Sequence, residues 1–128
     1  MTDSVNDSLG FKARRIYSDP ESDDGRRVLV DRLWPRGIAK TDHAFDDWLK
    51  SVAPSSPLRV WYGHQSDRYD EFARRYRFEL DDDSHREALE QLLSWRRNGP
   101  VTLLTASKDI TASHVPILIA ALNEIQGD

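Results

Sequence analysis

Two short apolar runs, far apart in the chain, constrain the fold more than any other feature. They span residues 28–30 and 101–106, and charged residues follow each of them closely. Nearly continuous apolarity is typical of strands in a parallel sheet, and parallel strands need a long, usually helical, connection. We therefore expect strands over 27–33 and 101–106 that are neighbours and parallel.

The remaining segments predict helices around this sheet. Residues 1–9 are small, polar and acidic, and we expect a disordered tail before one domain over residues 10–128. A weaker strand pattern spans 11–17. Apolar spacing predicts helices over 45–52, 57–62, 67–80 and 114–125. A further helix is predicted between a capping box at Ser84 and Glu87 and the helix stop at Gly99-Pro100. The fold class is α/β: a small compact three-layer domain, with a short, mostly parallel sheet covered by about five helices on both faces.

The same apolar positions predict the core. We expect these side chains to be largely buried: Trp48, Phe72, Tyr76, Leu89, Leu92, Leu93, Leu103 and Leu118.

Composition excludes several classes of function. The 128 residues contain no cysteine, which removes disulfides, thiolate nucleophiles and cysteine-rich metal sites. No apolar run reaches the length of a membrane span, and the first residues do not resemble a signal peptide. We expect a cytoplasmic protein that does not bind membranes. The net charge of −4 disfavours nucleic acid as a partner.

The sequence carries no common cofactor-binding motif. The chain has no GxGxxG, GxxxxGK or GxSxG pattern, which argues against kinases, common nucleotide-dependent dehydrogenases and α/β-hydrolases. No two histidines have metal-ligand spacing. A metal site of His64, His114 and Asp31 would be assembled only by the fold, so we expect neither metal nor cofactor.

The carboxyl ends of the two predicted strands locate a candidate site. Parallel neighbours end at the same edge of a sheet, where α/β proteins build ligand sites. We expect Asp31, Arg36, Lys108 and His114 to converge there, and His64 to join them if the short helix packs over this edge. The candidate catalytic residues are Asp31, His64 and Asp109, and the candidate ligand-binding residues are Arg32, Trp34, Arg36, Trp61, Lys108 and His114.

Each candidate also has a purely structural interpretation. Asp31 could accept buried hydrogen bonds, and His64 could cap nearby backbone. Trp34 and Trp61 could be packed in the core instead of stacking on a ligand. Lys108 and His114, close to the start of the last helix, suit an anionic group because helix amino termini attract negative charge.

Four segments together are specific enough to resemble a known family. They read VLVDRLWPRG, WLKSVAPSSPLRVWYGH, FARRYRFEL and VTLLTASKD, with His114 downstream. The chain resembles the DUF488 family of uncharacterised bacterial proteins, in its YeaO-like branch, over about residues 11–123. The resemblance implies a compact α/β fold and supports the site positions, but family members have no agreed activity. This chain departs from the family pattern at residues 105–107 and at Val115-Pro116.

Two hypotheses for function follow from these residues. The first is a small enzyme or sensor that binds an anionic small molecule, such as a nucleotide or a sugar phosphate. Arg36, Lys108 and Arg32 would hold the anion, while Asp31, Asp109 or His64 would move protons in hydrolysis or group transfer. The alternative is a non-catalytic, nucleic-acid-associated module that uses arginine clusters and exposed tryptophans. The sequence leaves the reaction and the oligomeric state open.

Overall fold

A four-stranded parallel sheet lies at the centre of the fold. The computed structural model describes residues 10–127, with side chains to residue 125. The predicted tail, residues 1–9, lies outside the described residues. The strands are β1 (Lys12–Arg15), β2 (Arg26–Leu29), β3 (Asp47–Trp48) and β4 (Val101–Thr105), in the order β1-β4-β2-β3. The predicted parallel pairing of β2 with β4 is confirmed, with Val28 opposite Leu103.

β2 is shorter than its apolar pattern predicts. It begins after Gly25, whose φ of +67° favours glycine, and a Cβ there would lie 2.2 Å from the carbonyl oxygen of Pro100. It ends at Leu29, although the Val30 amide still donates to the Leu104 carbonyl at 3.0 Å. The residues from Asp31 onward therefore leave the sheet at its carboxyl edge.

The described residues form four α-helices and three single 3-10 turns, where about five helices are predicted. The helices are α1 (Ser56–Tyr62), α2 (Tyr69–Glu79), α3 (Asp83–Arg97) and α4 (Val115–Gly127), and the turns are Lys50–Val52, Ser66–Arg68 and Ile110–Ala112. The predicted stop after α1 is confirmed, because Gly63 ends it in the left-handed conformation with φ of 51°.

The predicted capping box of α3 is wrong. Asp82 rather than Ser84 is the N-cap, since its carboxylate accepts a hydrogen bond from the His85 amide at 2.8 Å. The Ser84 hydroxyl itself donates to Asp82 at 3.3 Å, so the helix begins earlier than the pattern indicates.

The prediction of a helix over 45–52 is also wrong. This segment contains β3, which pairs with β2, followed by a 3-10 turn. Its apolar residues have helical spacing but pack on two different clusters: Phe45 and Trp48 on the smaller one, Leu49 and Val52 on the larger one. Trp48 is consequently only partly buried, whereas the other seven predicted core residues are buried.

The two faces of the sheet are covered differently. All four helices contribute to the larger cluster, which includes Val28, Leu103, Tyr76, Leu92 and Leu118. The smaller cluster, on Ile16, Leu29 and Leu104, is covered by loop side chains including Ile38 and Phe45. The expected helical cover is thus found on one face, and a loop takes its place on the other. None of the described helices is long and apolar enough to cross a membrane.

Candidate functional site

A cleft of about 730 Å³ opens at the edge of the sheet where β2 and β4 end. Its lining comes from the end of β1, the loop after β2, the carboxyl end of α1 and the segments that flank the turn before α4. The structure brings together the five residues whose convergence the topology predicts: Asp31, Arg36, His64, Lys108 and His114. Arg32 and Trp34 also line this cleft. Their roles stay predictions.

Asp31 connects the ends of the two central strands. Its Oδ2 accepts a hydrogen bond from the Ala106 amide at 2.8 Å, and its own carbonyl accepts one from the Trp48 indole at 2.7 Å. Its Oδ1 is buried and has no hydrogen-bond partner among the described residues. The carboxylate is therefore held rigidly with one oxygen uncommitted.

His114 lies beside that uncommitted oxygen. Its Nε2 is 2.9 Å from the Val30 carbonyl, which fixes Nε2 as the protonated nitrogen, and 3.8 Å from Asp31 Oδ1. Its ring stands edge-on to Tyr76, with the ring centres 5.8 Å apart. Burial lowers the pKa of His114 below the usual 6.5, while the Asp31 charge and the Val30 carbonyl oppose this change. The imidazole is thus neutral at pH 7.

Arg32 is committed to the backbone. Its Nε donates to the Pro54 carbonyl at 2.8 Å and its Nη2 to the Ala53 carbonyl at 3.1 Å. Arg32 therefore fixes the segment before α1 against the cleft, and it contributes positive charge there.

Trp34 is a packing residue more than an open platform. Its indole donates to the Ile38 carbonyl at 2.7 Å, and its ring makes edge contacts with Phe45 and Trp48, with centres 5.3 and 5.4 Å apart. The Lys40 ammonium lies 5.6 Å from its ring centre. These contacts hold the loop after β2 in shape beside the cleft.

Three basic side chains that line the cleft have no side-chain partner in the described part of the chain. Arg36, Arg59 and Lys108 are exposed, and within residues 10–127 their side chains form no hydrogen bond or ion pair. The exposed His64 has a positive φ of 59° and lies near the Tyr62 ring, with centres 6.1 Å apart. The expected backbone-capping interaction of His64 is not found among these residues.

Two tyrosines bring α1 and α2 over this edge. The Tyr62 hydroxyl donates to the Ala112 carbonyl at 2.7 Å, and the Tyr69 hydroxyl donates to the Ser113 carbonyl at 2.8 Å. Burial raises the pKa of Tyr69 to about 12. Both phenols are therefore protonated hydrogen-bond donors at neutral pH. The Tyr62 hydrogen bond fixes the carboxyl end of α1 at this edge, and His64 follows directly after it.

Trp61 is not part of the cleft. Arg59, Val60 and Tyr62 of α1 line the cleft, whereas Trp61 lies in a separate depression of about 750 Å³ beside α2. The guanidinium groups of Arg68 and Arg75 lie over its ring, 5.1 and 4.3 Å from the centre. No strand end contributes to this depression, so the cleft is the better candidate site.

Asp109 is not in the lining either. Its carboxylate caps the Ile110–Ala112 turn by accepting hydrogen bonds from the Thr111 amide at 3.0 Å and the Thr111 hydroxyl at 2.6 Å. Burial and the charge of Asp109 together raise the pKa of Tyr62. A local capping role is therefore sufficient to explain Asp109.

Arg15, Tyr17 and Arg59 line the cleft but were not among the site residues predicted from the sequence. Arg15 donates from Nε to the Ser107 carbonyl at 3.0 Å, and its guanidinium lies 5.0 Å from the Tyr17 ring centre. The Tyr17 hydroxyl donates to the Arg36 carbonyl at 2.8 Å. The strand-end rule could have found the first two, because β1 is parallel to β4 and ends at the same edge.

The cleft has a charge opposite to that of the whole chain. Among the described residues that line it are five basic side chains, Arg15, Arg32, Arg36, Arg59 and Lys108, and one carboxylate, Asp31. The chain as a whole carries −4. This local excess of positive charge would attract anions.

Within the described residues, one acidic group has the spacing of metal ligands, and it lies outside the cleft lining. It consists of Glu21, Asp23 and Asp24. Lys12 and Arg14 form ion pairs with members of this group, at 2.9 to 3.4 Å. These cations already neutralise the carboxylates.

Comparison with known proteins assigns the family. A family model described as "Inactive DUF488-N3 subclade" matches residues 10–126. The chain belongs to the DUF488 family. The family resemblance of the four sequence segments is thereby confirmed for almost the whole described chain.

Three relatives of this DUF488 protein carry the description "uncharacterized protein". Rv3073c of Mycobacterium tuberculosis is 46% identical over 112 residues, which cover 88% of this chain and 92% of the relative. Mb3100c of Mycobacterium bovis gives the same values. YeaO of Escherichia coli is 38% identical over 110 residues, 86% of this chain and 94% of YeaO. No solved structure matches the DUF488 chain.

Proposed function

We propose that this protein binds an anionic small molecule, such as a nucleotide or a sugar phosphate, in the cleft. The observation that carries the proposal is the excess of basic side chains around a concave site in an acidic protein. Arg36, Arg59 and Lys108 have no competing partner among residues 10–127. Arginine side chains bind phosphate and carboxylate groups through paired hydrogen bonds, and lysine adds a point charge.

The family description favours binding over turnover. The subclade is described as inactive, and the two groups with acid-base chemistry at the floor have structural partners. Asp31 Oδ2 accepts from Ala106, and His114 Nε2 donates to Val30. Hydrolysis or group transfer, with Asp31 and His64 moving the proton, is the second proposal. We also propose a cytoplasmic location, with which the lack of cysteine is compatible.

The nucleic-acid alternative has less support. Several clustered arginines have nearby carboxylate partners: Arg14 and Arg27 with Asp24, Arg26 with Asp47, Arg74 and Arg75 with Glu71, and Arg77 with Glu124. Partnered arginines do not favour the continuous basic face that phosphate backbones require.

A thermal-shift screen tests the proposal. Inorganic phosphate, pyrophosphate, sugar phosphates and nucleotides would be compared at increasing concentration. A ligand at about 100 times its Kd stabilises the native state by about 2.7 kcal/mol, which raises Tm by several degrees. We expect Arg36→Ala and Lys108→Ala to lose this shift while remaining folded.

The matched control is Arg97→Ala. Arg97 is exposed in the last turn of α3, which leads to the opposite, amino-terminal end of β4. It should keep the full ligand-induced shift. The proposal fails if none of these anions raises Tm, or if all three variants respond like the wild type.

A further inference from the structure

Exposed apolar side chains also line the cleft. Four large apolar side chains of the described residues are conspicuously exposed: Tyr17 at 42%, Leu33 at 57%, Val60 at 69% and Phe78 at 80%. The first three line the cleft, and only Phe78 lies elsewhere. Single exposed apolar residues are ordinary, but a group of them around one concave site indicates a binding surface.

These apolar residues come from three separate parts of the chain, and each adjoins a basic residue. The Tyr17 ring lies under the Arg15 guanidinium, and its hydroxyl donates a hydrogen bond to the Arg36 carbonyl. Val60 follows Arg59 in α1, and both face the cleft. Leu33 follows Arg32 in the loop after β2. The lining of the cleft therefore offers a ligand both basic and apolar side chains.

This combination distinguishes between the two ligand classes of the proposed function. A sugar phosphate offers an anion and a surface covered with hydroxyl groups, which leaves Leu33 and Val60 without an apolar partner. A nucleotide offers the same anion together with a flat ring whose faces are apolar and whose edges form hydrogen bonds. The cleft volume of about 730 Å³ is within the usual range for such ligands.

We infer that the cleft takes a nucleoside monophosphate, with its phosphate on the basic side chains and its base against Tyr17, Leu33 and Val60. This inference rests on the proposed function and narrows its ligand class. The phosphate would be shared among Arg36, Lys108 and Arg59. The base would cover the exposed apolar side chains and remove their surface from water.

Isothermal titration calorimetry tests the inference with three kinds of probe, each containing more of a nucleotide than the one before. They are inorganic phosphate, ribose 5-phosphate and the four ribonucleoside monophosphates. We expect at least one nucleoside monophosphate to bind about tenfold more tightly than ribose 5-phosphate, a difference of about 1.4 kcal/mol. Leu33→Ser and Val60→Ser should each remove part of that advantage and leave the affinity for ribose 5-phosphate unchanged. Both positions are exposed, so the variants should fold.

Phe78→Ser is the matched control, because it removes another exposed apolar side chain, one that lies outside the cleft. It should leave both affinities unchanged. Equal binding of ribose 5-phosphate and all four nucleotides would overturn the inference and leave the proposed function intact. If no phosphorylated probe binds, the proposed function and the inference fail together.

Discussion

Nε2 of His114 and Oδ1 of Asp31 lie 3.8 Å apart at the floor of the cleft, and both residues are tied to the backbone of the central strands or their extensions. His114 donates to Val30 at the end of β2, and Asp31 accepts from Ala106 just after β4. The pair therefore joins the carboxyl ends of two neighbouring strands. Anything that charges the imidazole acts on this junction.

We expect stability to fall as the pH is lowered through the range just below 6.5. Burial lowers the pKa of His114 in the folded chain, so the unfolded chain binds this proton at a higher pH than the folded one. Stability then rises with pH in this interval and is lost on acidification. Urea unfolding at pH 7.5 and 5.5 should show a smaller loss for His114→Gln than for the wild type. Equal losses would show that His114 is not responsible.

Asp24 should be a buried carboxylate whose removal strongly lowers the free energy of unfolding. It is 1% exposed and accepts from Arg27 at 2.6 Å and from Arg14 at 3.2 Å. Burial raises its pKa, but these bonds and the Glu21 amide overcome that effect and lower it to about 2. Breaking a buried ion pair at one partner costs roughly 3–5 kcal/mol, so Asp24→Asn should lower the free energy of unfolding by that order.

The control for Asp24 is Asp23→Asn. The Asp23 side chain is 75% exposed, and its contact with Lys12 is a surface ion pair. Such pairs contribute about 0–1 kcal/mol. Similar losses in the two variants would contradict the assignment of Asp24 as a buried anchor.

Leu92→Ala should destabilise the chain by roughly 2–5 kcal/mol, because it leaves a cavity in the larger cluster. Leu92 is 0% exposed and lies in α3 against the helical face of the sheet. Denaturant unfolding measures the change. Gln91→Ala, at the next and exposed position of the same helix, should shift the midpoint little. An unchanged midpoint for Leu92→Ala would mean that α3 packs differently.

Tyr17→Phe should weaken anion binding through Arg36. The substitution keeps the ring under Arg15 and removes only the hydrogen bond to the Arg36 carbonyl. We expect a several-fold loss of phosphate-ligand affinity with a stability change of about 1 kcal/mol or less. In an Arg36→Ala background the same substitution should have almost no further effect on affinity. Additive losses would show that Tyr17 acts independently of Arg36.

The two central strands were predictable because their runs of apolar residues have a single cause, burial in the middle of a parallel sheet. Val28 and Leu29 of β2 and all five residues of β4 are buried, as the two apolar runs indicate, and the parallel arrangement places the carboxyl ends of the two strands together. That single rule located Asp31, Lys108 and His114 at one cleft. It did not extend to Trp61, whose place depends on which side of α1 faces the cleft, and adjacent helical residues point in different directions.

Segment 45–52 shows where the sequence pattern misleads. Spacing of three and four residues predicts one helical face only if all its apolar residues pack on the same cluster. Here the chain crosses the edge of the sheet, so Trp48 and Val52 belong to opposite faces. Asp109 is a second case, since short-range capping by an aspartate competes with a role in a cleft.

The strand order has a consequence for how the chain is made. β4, the last strand in sequence, is the one that lies between β1 and β2 and hydrogen-bonds to both. When residues 1–100 have been synthesised, three of the described strands are present, and a gap separates β1 from the β2–β3 pair. β1 can join the other strands only after residues 101–105 have been synthesised, so the cleft at this edge of the sheet is completed after β4.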